Sequence, residues 1–163
     1  MPSLVGSEMC IRDRDSRCVD HRRTENSGKR RGMDCLFCSI ISGDVESRQV
    51  ASDDASLAFL DVSPAQEGHT LVVPRHHVTS ALDDEGELAR IMPMVTKVAH
   101  ILVDKLGASG VNLLVNSGTV AGQSVDHLHV HVIPRYESEP GMSHVRTQLP
   151  MRPVDEIHAQ LCS

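Results

Sequence analysis

The spacing of apolar residues changes along the chain, and each change predicts a different element. Residues 35–41 carry apolar side chains at helical spacing and run into Ser42-Gly43, a helix-ending pair, so they predict a short first helix. Three strand-like runs follow, separated by Asp, Pro and Gly turn residues, at 49–52, 57–61 and 70–74. Runs joined by such short turns predict an antiparallel meander.

A long amphipathic helix is predicted over residues 84–106, where apolar side chains recur every three or four positions before Gly107. Pro93 lies inside this segment and predicts a kink, because it cannot donate the backbone hydrogen bond of a helix interior. Two further strands are predicted at 111–116 and 128–134. We therefore expect an α+β domain, in which a five-stranded antiparallel sheet carries one long amphipathic helix and a short N-terminal helix.

The two ends of the chain differ from this central domain, which we place at residues 33–140. Residues 1–32 show no period, are rich in Arg, Asp, Ser and Gly, and predict a disordered leader or, as the alternative, a short basic arm. Residues 7–14 resemble translated sequencing-adapter sequence, so we expect Met33 to be the natural start and the leader not to be native. Residues 141–163 form a C-terminal tail whose weak period predicts extended chain.

Composition and charge narrow the class of ligand. The formal net charge of −6 is unevenly spread, since residues 1–32 hold eight basic and five acidic side chains and the rest of the chain holds eight and seventeen. An acidic body argues against a nucleic-acid binder, and two Phe, one Tyr and no Trp offer little for base stacking. The chain has no apolar run that could span a membrane and no secretory signal. We therefore expect a cytoplasmic protein with a small-molecule ligand and without nucleic-acid or membrane partners.

Three histidines occupy alternate positions of the last predicted strand, at 127, 129 and 131. Alternate side chains of a strand share one face, so the three imidazoles project together while Leu128, Val130 and Val132 point into the core. Core packing gives no reason for three imidazoles on one face. Two functional interpretations follow, a three-histidine metal site or phosphate chemistry with one imidazole as the nucleophile.

The turn that precedes this strand favours phosphate chemistry. Residues 116–124 contain two glycines, which let backbone N–H groups approach an anion, and the neutral donors Asn116, Gln123 and Ser124. The sequence has no Gly-x-x-x-x-Gly-Lys loop and no Gly-x-Gly-x-x-Gly turn, so the usual kinase and dinucleotide sites are excluded.

Residues 122–135, Gly-Gln-Ser-Val-Asp-His-Leu-His-Val-His-Val-Ile-Pro-Arg, resemble the signature of the histidine triad (HIT) family. Three more landmarks stand in the family's order: Cys-Leu-Phe-Cys at 35–38, Leu-Ala-Phe-Leu-Asp-Val-Ser-Pro at 57–64 and Gly-His-Thr-Leu-Val-Val-Pro-Arg-His-His at 68–77. The likeness extends over residues 34–136 and implies a HIT domain of the Hint-like branch, of the zinc-containing bacterial type.

This resemblance implies a nucleotide hydrolase or transferase acting at the α-phosphate of nucleoside phosphoramidates or dinucleoside polyphosphates. His129 would attack phosphorus and form a covalent nucleotidyl-histidine, which water then hydrolyses. His131 would hydrogen-bond the phosphate and assist the leaving group, and His69 would lie near the nucleophile. Phosphoryl oxygens would be stabilised by three neutral side chains, those of Asn116, Gln123 and Ser124.

The same resemblance implies a purine nucleotide substrate and a homodimer, typically formed through the long helix and an edge strand. Asp61 would accept hydrogen bonds from the ribose hydroxyls. The base pocket would be lined by Phe37, Ile40, Phe59 and Val62. For these four residues an ordinary place in the core is an equally good interpretation of the sequence.

Cys35 and Cys38 are separated by two residues, a spacing that fits a zinc half-site, a redox pair or simple packing. A redox pair would follow a strand, and no strand is readable before Cys35. His77 and His127 could complete a tetrahedral Cys2His2 site of structural type, and the zinc-containing HIT proteins use these four positions. His127 would then hold the strand in place and take no part in proton transfer.

Two other functions remain open from the sequence. One is a nucleotide-binding or protein-interaction module that keeps the pocket with little catalysis. The other is a catalytic three-histidine metal enzyme, which leaves the Gly-Gln-Ser turn and the cysteine pair without a role.

Overall fold

A computed structural model describes residues 35–138 and 152–162 of the chain. We number the elements in chain order. The helices are α1 (Leu36–Ser42), α2 (Glu87–Leu106) and α3 (Val154–Leu161), with a 3₁₀ turn at Thr119–Ala121. The strands are β1 (Gln49–Ser52), β2 (Ser56–Leu60), β3 (Thr70–Pro74), β4 (Gly110–Leu114) and β5 (Val130–Arg135).

The strands form one antiparallel sheet in the order β1-β2-β3-β5-β4. The expected α+β domain with a five-stranded antiparallel sheet and one long helix is therefore confirmed. β1 and β3 have the predicted bounds, and the other three strands differ by one or two residues at their ends. Such shifts are usual where strands run into turns.

Side chains alternate between the two faces of this sheet and bury each face against a different helix. Ala58, Val72 and Val130 face α2 and form a buried cluster with its apolar stripe. Leu57, Phe59, Leu71 and Val73 point the other way and pack with Phe37 and Ile40 of α1. The period of two along β5 thus buries the valines on the α2 side and leaves the intervening histidines on the α1 side.

Helix α2 begins after Asp84, whose carboxylate accepts hydrogen bonds from the backbone amides of Gly86, Glu87 and Leu88. The helix is continuous through Pro93 and ends at Gly107, which has a φ of 70°. A left-handed residue at this position lets the last turn close, and glycine adopts it at low cost.

The loop between β2 and β3 lies close to the end of α2 at Gly68. A Cβ atom at Gly68 would lie 2.5 Å from Cδ1 of Leu106, and the residue has a φ of +86°. Glycine therefore suits both the space and the backbone conformation there. The neighbouring His69 lies directly before β3.

Two predictions concern the ends of the chain. The prediction of a disordered leader falls on residues 1–32, which lie outside the described part of the structure. The prediction of extended chain in the tail is wrong for Val154–Leu161, which form α3. Its apolar residues Val154, Ile157 and Leu161 recur at helical spacing, but the segment is short and the prolines before it masked the period. Among the described helices, none combines the length and apolar character needed to cross a bilayer.

Candidate active site and metal-ligand cluster

A cavity of about 970 Å³ lies between α1 and the sheet face that carries the histidines. One wall is a row of side chains that are paired across three strands, Phe59, Leu71 and His131. Eight residues that the sequence assigned to the site line this cavity: Phe37, Ile40, Phe59, Asp61, Val62, Ser124, His129 and His131. The fold therefore brings residues from α1, β2 and β5 to one apolar cavity with a polar end.

Several lining residues were not identified from the sequence. They are Leu36, Val45, Glu46, Ser47, Arg48, Leu60, Ser63, Leu71 and Val125. Leu71 could have been found, because its alternation on β3 puts it on the face of His131. The segment 45–48 belongs to no motif, and only the packing of α1 against the sheet brings it to the cavity.

His129 is buried and its ring orientation is set by the backbone. Its Nδ1 lies 2.6 Å from the carbonyl oxygen of His127. A carbonyl only accepts, so Nδ1 carries the proton and the lone pair of the neutral ring is on Nε2. Phe37 packs edge-to-face with the imidazole, with ring centroids 5.3 Å apart. The ring is thus held in the tautomer that a nucleophilic histidine requires.

His131 forms a hydrogen bond with His69. His69 does not line the cavity itself, but its ring contacts that of His131, which does. Nε2 of His69 lies 3.0 Å from Nδ1 of His131. The backbone amide of Ala65 donates to Nδ1 of His69 over 3.1 Å, so the proton of neutral His69 is on Nε2. That proton is donated to Nδ1 of His131, which leaves His131 with its own proton on Nε2. His131 therefore holds an N–H at the cavity.

Burial is the main electrostatic influence on this histidine pair. It lowers the pKa of His131 to about 4, aided by His129 and His69 and opposed by the negative charge of Asp61. Burial also lowers the pKa of His69, Asp61 raises it, and Arg135 lowers it further. Both rings are therefore neutral at pH 7, and a bound anion would raise their pKa values.

Asp61 lies where β2 runs into the loop, and its two carboxylate oxygens have different surroundings. Oδ1 accepts a hydrogen bond from the amide of Ser63 at 2.8 Å. Oδ2 lies 3.5 Å from Nδ1 of His69. The side chain keeps 17% of its surface exposed and lines the cavity, so a ligand can reach it.

The turn at 116–124 has a different internal structure from the one the sequence suggested. Gln123 is buried, and its Oε1 accepts from the amide of Gly118 at 2.7 Å. Its Nε2 donates to the carbonyl oxygens of Thr79 and Val125. The side-chain amide of Gln123 is thus occupied by three backbone groups and does not line the cavity, so it acts as a support of the turn.

The expected cradle of backbone amides in this turn is wrong for four of them. Gly118, Ala121, Gly122 and Gln123 use their N–H groups inside the turn. Gly118 and Gly122 have φ values of 88° and 90°, positive values that glycine adopts at low cost. Ser124 is exposed at the cavity and keeps the predicted position, whereas Asn116 lies beside Gly122, outside the cavity lining.

The second cluster contains the four predicted metal ligands. The ligand atoms of Cys35, Cys38, His77 and His127 all lie within 4.8 Å of one another. Cys38 Sγ lies 3.2 Å from Nδ1 of His77, and Cys35 Sγ lies 3.4 Å from Nδ1 of His127. These residues come from the start of α1, the segment after β3 and the segment before β5, so only the fold brings them together.

The donor atoms of this cluster suit a zinc ion. Nε2 of His127 lies 2.9 Å from the carbonyl oxygen of Pro74, so its proton is there and the Nδ1 lone pair faces the cysteines. Two sulfurs and two imidazole nitrogens are a set that zinc prefers. Burial and the neighbouring Cys35 raise the pKa of the Cys38 thiol to about 11, so a metal would have to displace its proton.

Comparison with known proteins shows the family to which this chain belongs. The family model of the HIT domain matches residues 42–138. The chain belongs to the HIT family. It is 40% identical over 129 residues to the adenosine 5′-monophosphoramidase hnt1 of Schizosaccharomyces pombe, covering 78% of this chain and 92% of that protein.

Solved structures of similar proteins agree with the HIT fold. The crystal structure of SMU.412c from Streptococcus mutans aligns with a TM-score of 0.71 at 35% identity, covering 93% of this chain and 95% of the other. A zinc-bound histidine triad family protein from Mycobacterium smegmatis aligns with a TM-score of 0.64 at 31% identity, covering 80% and 91%. The HIT match begins after Cys35 and Cys38, so the cysteine half of the ligand cluster lies just outside it.

Proposed function

We propose that this HIT protein is a nucleotide hydrolase or transferase acting at the α-phosphate of nucleoside phosphoramidates or dinucleoside polyphosphates, through a covalent nucleotidyl-His129. The observation that carries this proposal is the tautomer of His129. Its Nδ1–H is donated to the carbonyl of His127, so the nucleophilic lone pair is on Nε2 in a ring that lines the cavity. A relative with the name of a phosphoramidase supports the same reaction class.

In the first step, Nε2 of His129 attacks the α-phosphorus while the bond from phosphorus to the leaving nitrogen or oxygen breaks. The negative charge of the bound phosphate raises the pKa of the His69–His131 pair, so the pair takes up a proton with the substrate. Nε2 of His131 passes this proton to the leaving group. The carbonyl of His127 stabilises the positive imidazole ring that results.

In the second step, water attacks the phosphorus and the bond to Nε2 of His129 breaks. The water loses a proton to Nε2 of His131, which restores the protonated pair, and the nucleoside monophosphate leaves. Dividing one displacement into two gives each step a good leaving group. The proton that the pair took up with the substrate is released when the nucleoside monophosphate and its negative charge leave, so the pair returns to its neutral starting state.

The rest of the cavity would bind the nucleotide. Asp61 would accept from the ribose hydroxyls, and the base would lie against the apolar wall of Phe37, Ile40, Phe59 and Val62. Ser124 would donate to a phosphoryl oxygen. We assign Gln123 to the support of the turn, because its amide is already bonded to backbone groups.

Cys35, Cys38, His77 and His127 would hold a zinc ion of structural type. When bound, zinc would supply a crosslink between α1 and the two segments that carry His77 and His127. The Mycobacterium smegmatis neighbour is zinc-bound, which supports this proposal. The ion takes no part in the phosphate chemistry, because His129 points its lone pair to the cavity and not to the cluster.

We test the activity with the full chain and a panel of adenosine phosphoramidate, guanosine phosphoramidate and dinucleoside polyphosphates. We expect release of nucleoside monophosphate and, after acid-free quenching, an acid-labile nucleotidyl-protein. The measurement is product release by chromatography together with the intact mass of the quenched protein. Tight nucleotide binding without turnover or adduct would instead identify a binding module.

We also propose a homodimer that joins the outer edge of β4 and the exposed side of α2. β4 is at the end of the sheet, so its outer backbone groups have no partner strand within the described residues. Leu113 is 49% exposed on this strand, and Val103 and Leu106 of α2 are also exposed. We expect twice the monomer mass in sedimentation, and Leu113→Lys should shift the protein to monomer. A monomer at micromolar concentration in the unaltered protein would contradict this.

A further inference from the structure

The carboxylate of Asp61 can interact with two groups, a ligand in the cavity and the imidazole of His69. Asp61 lines the cavity, and it also faces His69, the inner member of the His69–His131 pair. Oδ1 is held by the amide of Ser63, so the carboxylate cannot turn freely, and Oδ2 is directed to Nδ1 of His69 at 3.5 Å. A group in the cavity that donates a hydrogen bond to this carboxylate would therefore change how strongly Asp61 stabilises a protonated His69.

Nδ1 of His69 lies between two groups that favour opposite protonation states. The amide of Ala65, at 3.1 Å, can bond only to an unprotonated Nδ1. The carboxylate of Asp61 stabilises the protonated ring instead. Burial disfavours an added proton on the pair, and the balance between the amide and the carboxylate sets how far Asp61 offsets that cost.

The protonation state of His69 affects His131, which lines the cavity, through the hydrogen bond between the two rings. With Nδ1 of His69 unprotonated, the pair holds the proton of His69 against His131, as observed. When the pair gains a proton, Nδ1 of His69 can donate to Asp61, and Nε2 of His69 can accept from His131. Asp61 thus stabilises the charged pair that supplies the proton to the leaving group.

We propose that the ribose of the substrate regulates the protonation of the His69–His131 pair through Asp61. This inference rests on the proposed function, in which ribose hydroxyls donate to Asp61. Hydroxyls that bond the carboxylate reduce its stabilisation of the protonated pair. Asp61 is then a positioning residue for proton transfer as well as a ligand of the sugar.

The other charged or titratable groups that act on the pair are the same in this comparison. Arg135 of β5 acts on His69, and His129, which directly precedes β5, acts on His131. Neither group contacts the ribose in the proposed binding mode. A change confined to the sugar hydroxyls therefore measures the effect of Asp61 on the protonation of the pair, separately from the effects of Arg135 and His129.

The kinetic test compares a ribonucleoside phosphoramidate with its 2′,3′-dideoxy analogue at saturating concentration. We expect the limb of the kcat pH profile that reports the pair to have its midpoint about one pH unit lower for the ribose substrate. Asp61→Asn should remove this difference, while Asp54→Asn, an exposed turn residue, should keep it. Equal midpoints for the two substrates, with a change in KM alone, would overturn the proposal.

A second measurement needs no turnover and separates this proposal from the proposed function. Ring ¹⁵N and ¹³C spectra of the histidines, followed against pH, report the tautomer and the pKa of His69 in the unliganded protein. We expect the Nε2–H tautomer and a lower pKa in Asp61→Asn, because a charge that stabilises the protonated ring is lost. Binding of AMP should give a lower pKa of His69 than binding of 2′,3′-dideoxy-AMP. Identical titrations in the two complexes would overturn the coupling even if the enzyme is active.

Discussion

Replacement of His129 by alanine is expected to lower turnover of a nucleoside phosphoramidate by about 10³-fold or more, since the variant has lost the nucleophile. The nucleotidyl-protein should also disappear from quenched reactions. His129 packs against Phe37 at one side of the cavity, so most of the binding surface remains. Nucleotide affinity should therefore fall far less than kcat. The measurement is single-turnover kinetics alongside equilibrium binding of AMP.

His100→Ala is the matched control, because His100 is an exposed residue of α2, which packs on the sheet face opposite the cavity. Its turnover should equal that of the unaltered protein. His131→Ala should retain the adduct but form it about 10²-fold more slowly, as expected for a lost proton donor. Turnover by His129→Ala at the unaltered rate would refute a covalent mechanism at this residue.

Loss of zinc is the second large effect. We expect the purified protein to contain about one zinc ion per chain, and Cys35→Ser to lose it, because a hydroxyl is a poor replacement for a thiolate ligand. The ion would link α1 to the segments before β5 and after β3, so the free energy of unfolding should fall by about 4 kcal/mol, the effect of a ligand at a thousandfold excess over its dissociation constant. Elemental analysis and thermal unfolding measure the two consequences.

Cys162→Ser is the control for this experiment, since Cys162 is exposed at the end of α3. It should keep the zinc and the melting temperature of the unaltered protein. Chelation of the unaltered protein should reproduce the stability of Cys35→Ser. If the unaltered protein contains no zinc and neither Cys35→Ser nor Cys162→Ser changes its stability, the cluster is a packing contact and not a metal site.

The periodic elements were predicted well because their physical cause is local. The alternation of Leu57, Ala58 and Phe59 puts opposite faces of β2 against α1 and α2, and the stripe of α2 recurs at helical spacing. The end of α1 at Gly43 follows from the left-handed conformation that glycine adopts there. Helix α3 was missed because eight residues give only two apolar repeats, too few to stand out beside the prolines of the tail.

The site was predicted in part. The residues named from the family likeness include eight that line the cavity and four that form the ligand cluster. The sequence did not predict that residues 45–48 line the cavity, because these residues reach it only through the tertiary packing of the chain. Gln123 was expected to meet the phosphate, but its amide is bonded to backbone groups, among them the carbonyl of Thr79, which is distant in sequence. Partners of this kind have no signal in a local pattern.

The sequence alone determined which residue types could do chemistry and the face on which each would lie. Alternation along β5 separates the histidines from Val130 and Val132, and this follows from strand geometry without knowledge of the fold. Only the tertiary structure decided which proton each imidazole carries. His127, His129 and His69 take their tautomers from backbone groups of Pro74, His127 and Ala65. Pro74 is distant in sequence from the histidine that it bonds, and the other two partners are brought into reach by the local turn of the backbone. Because a hydrogen bond depends on position in space, three histidines that look equivalent in sequence become a metal-ligand candidate, a nucleophile and a proton donor.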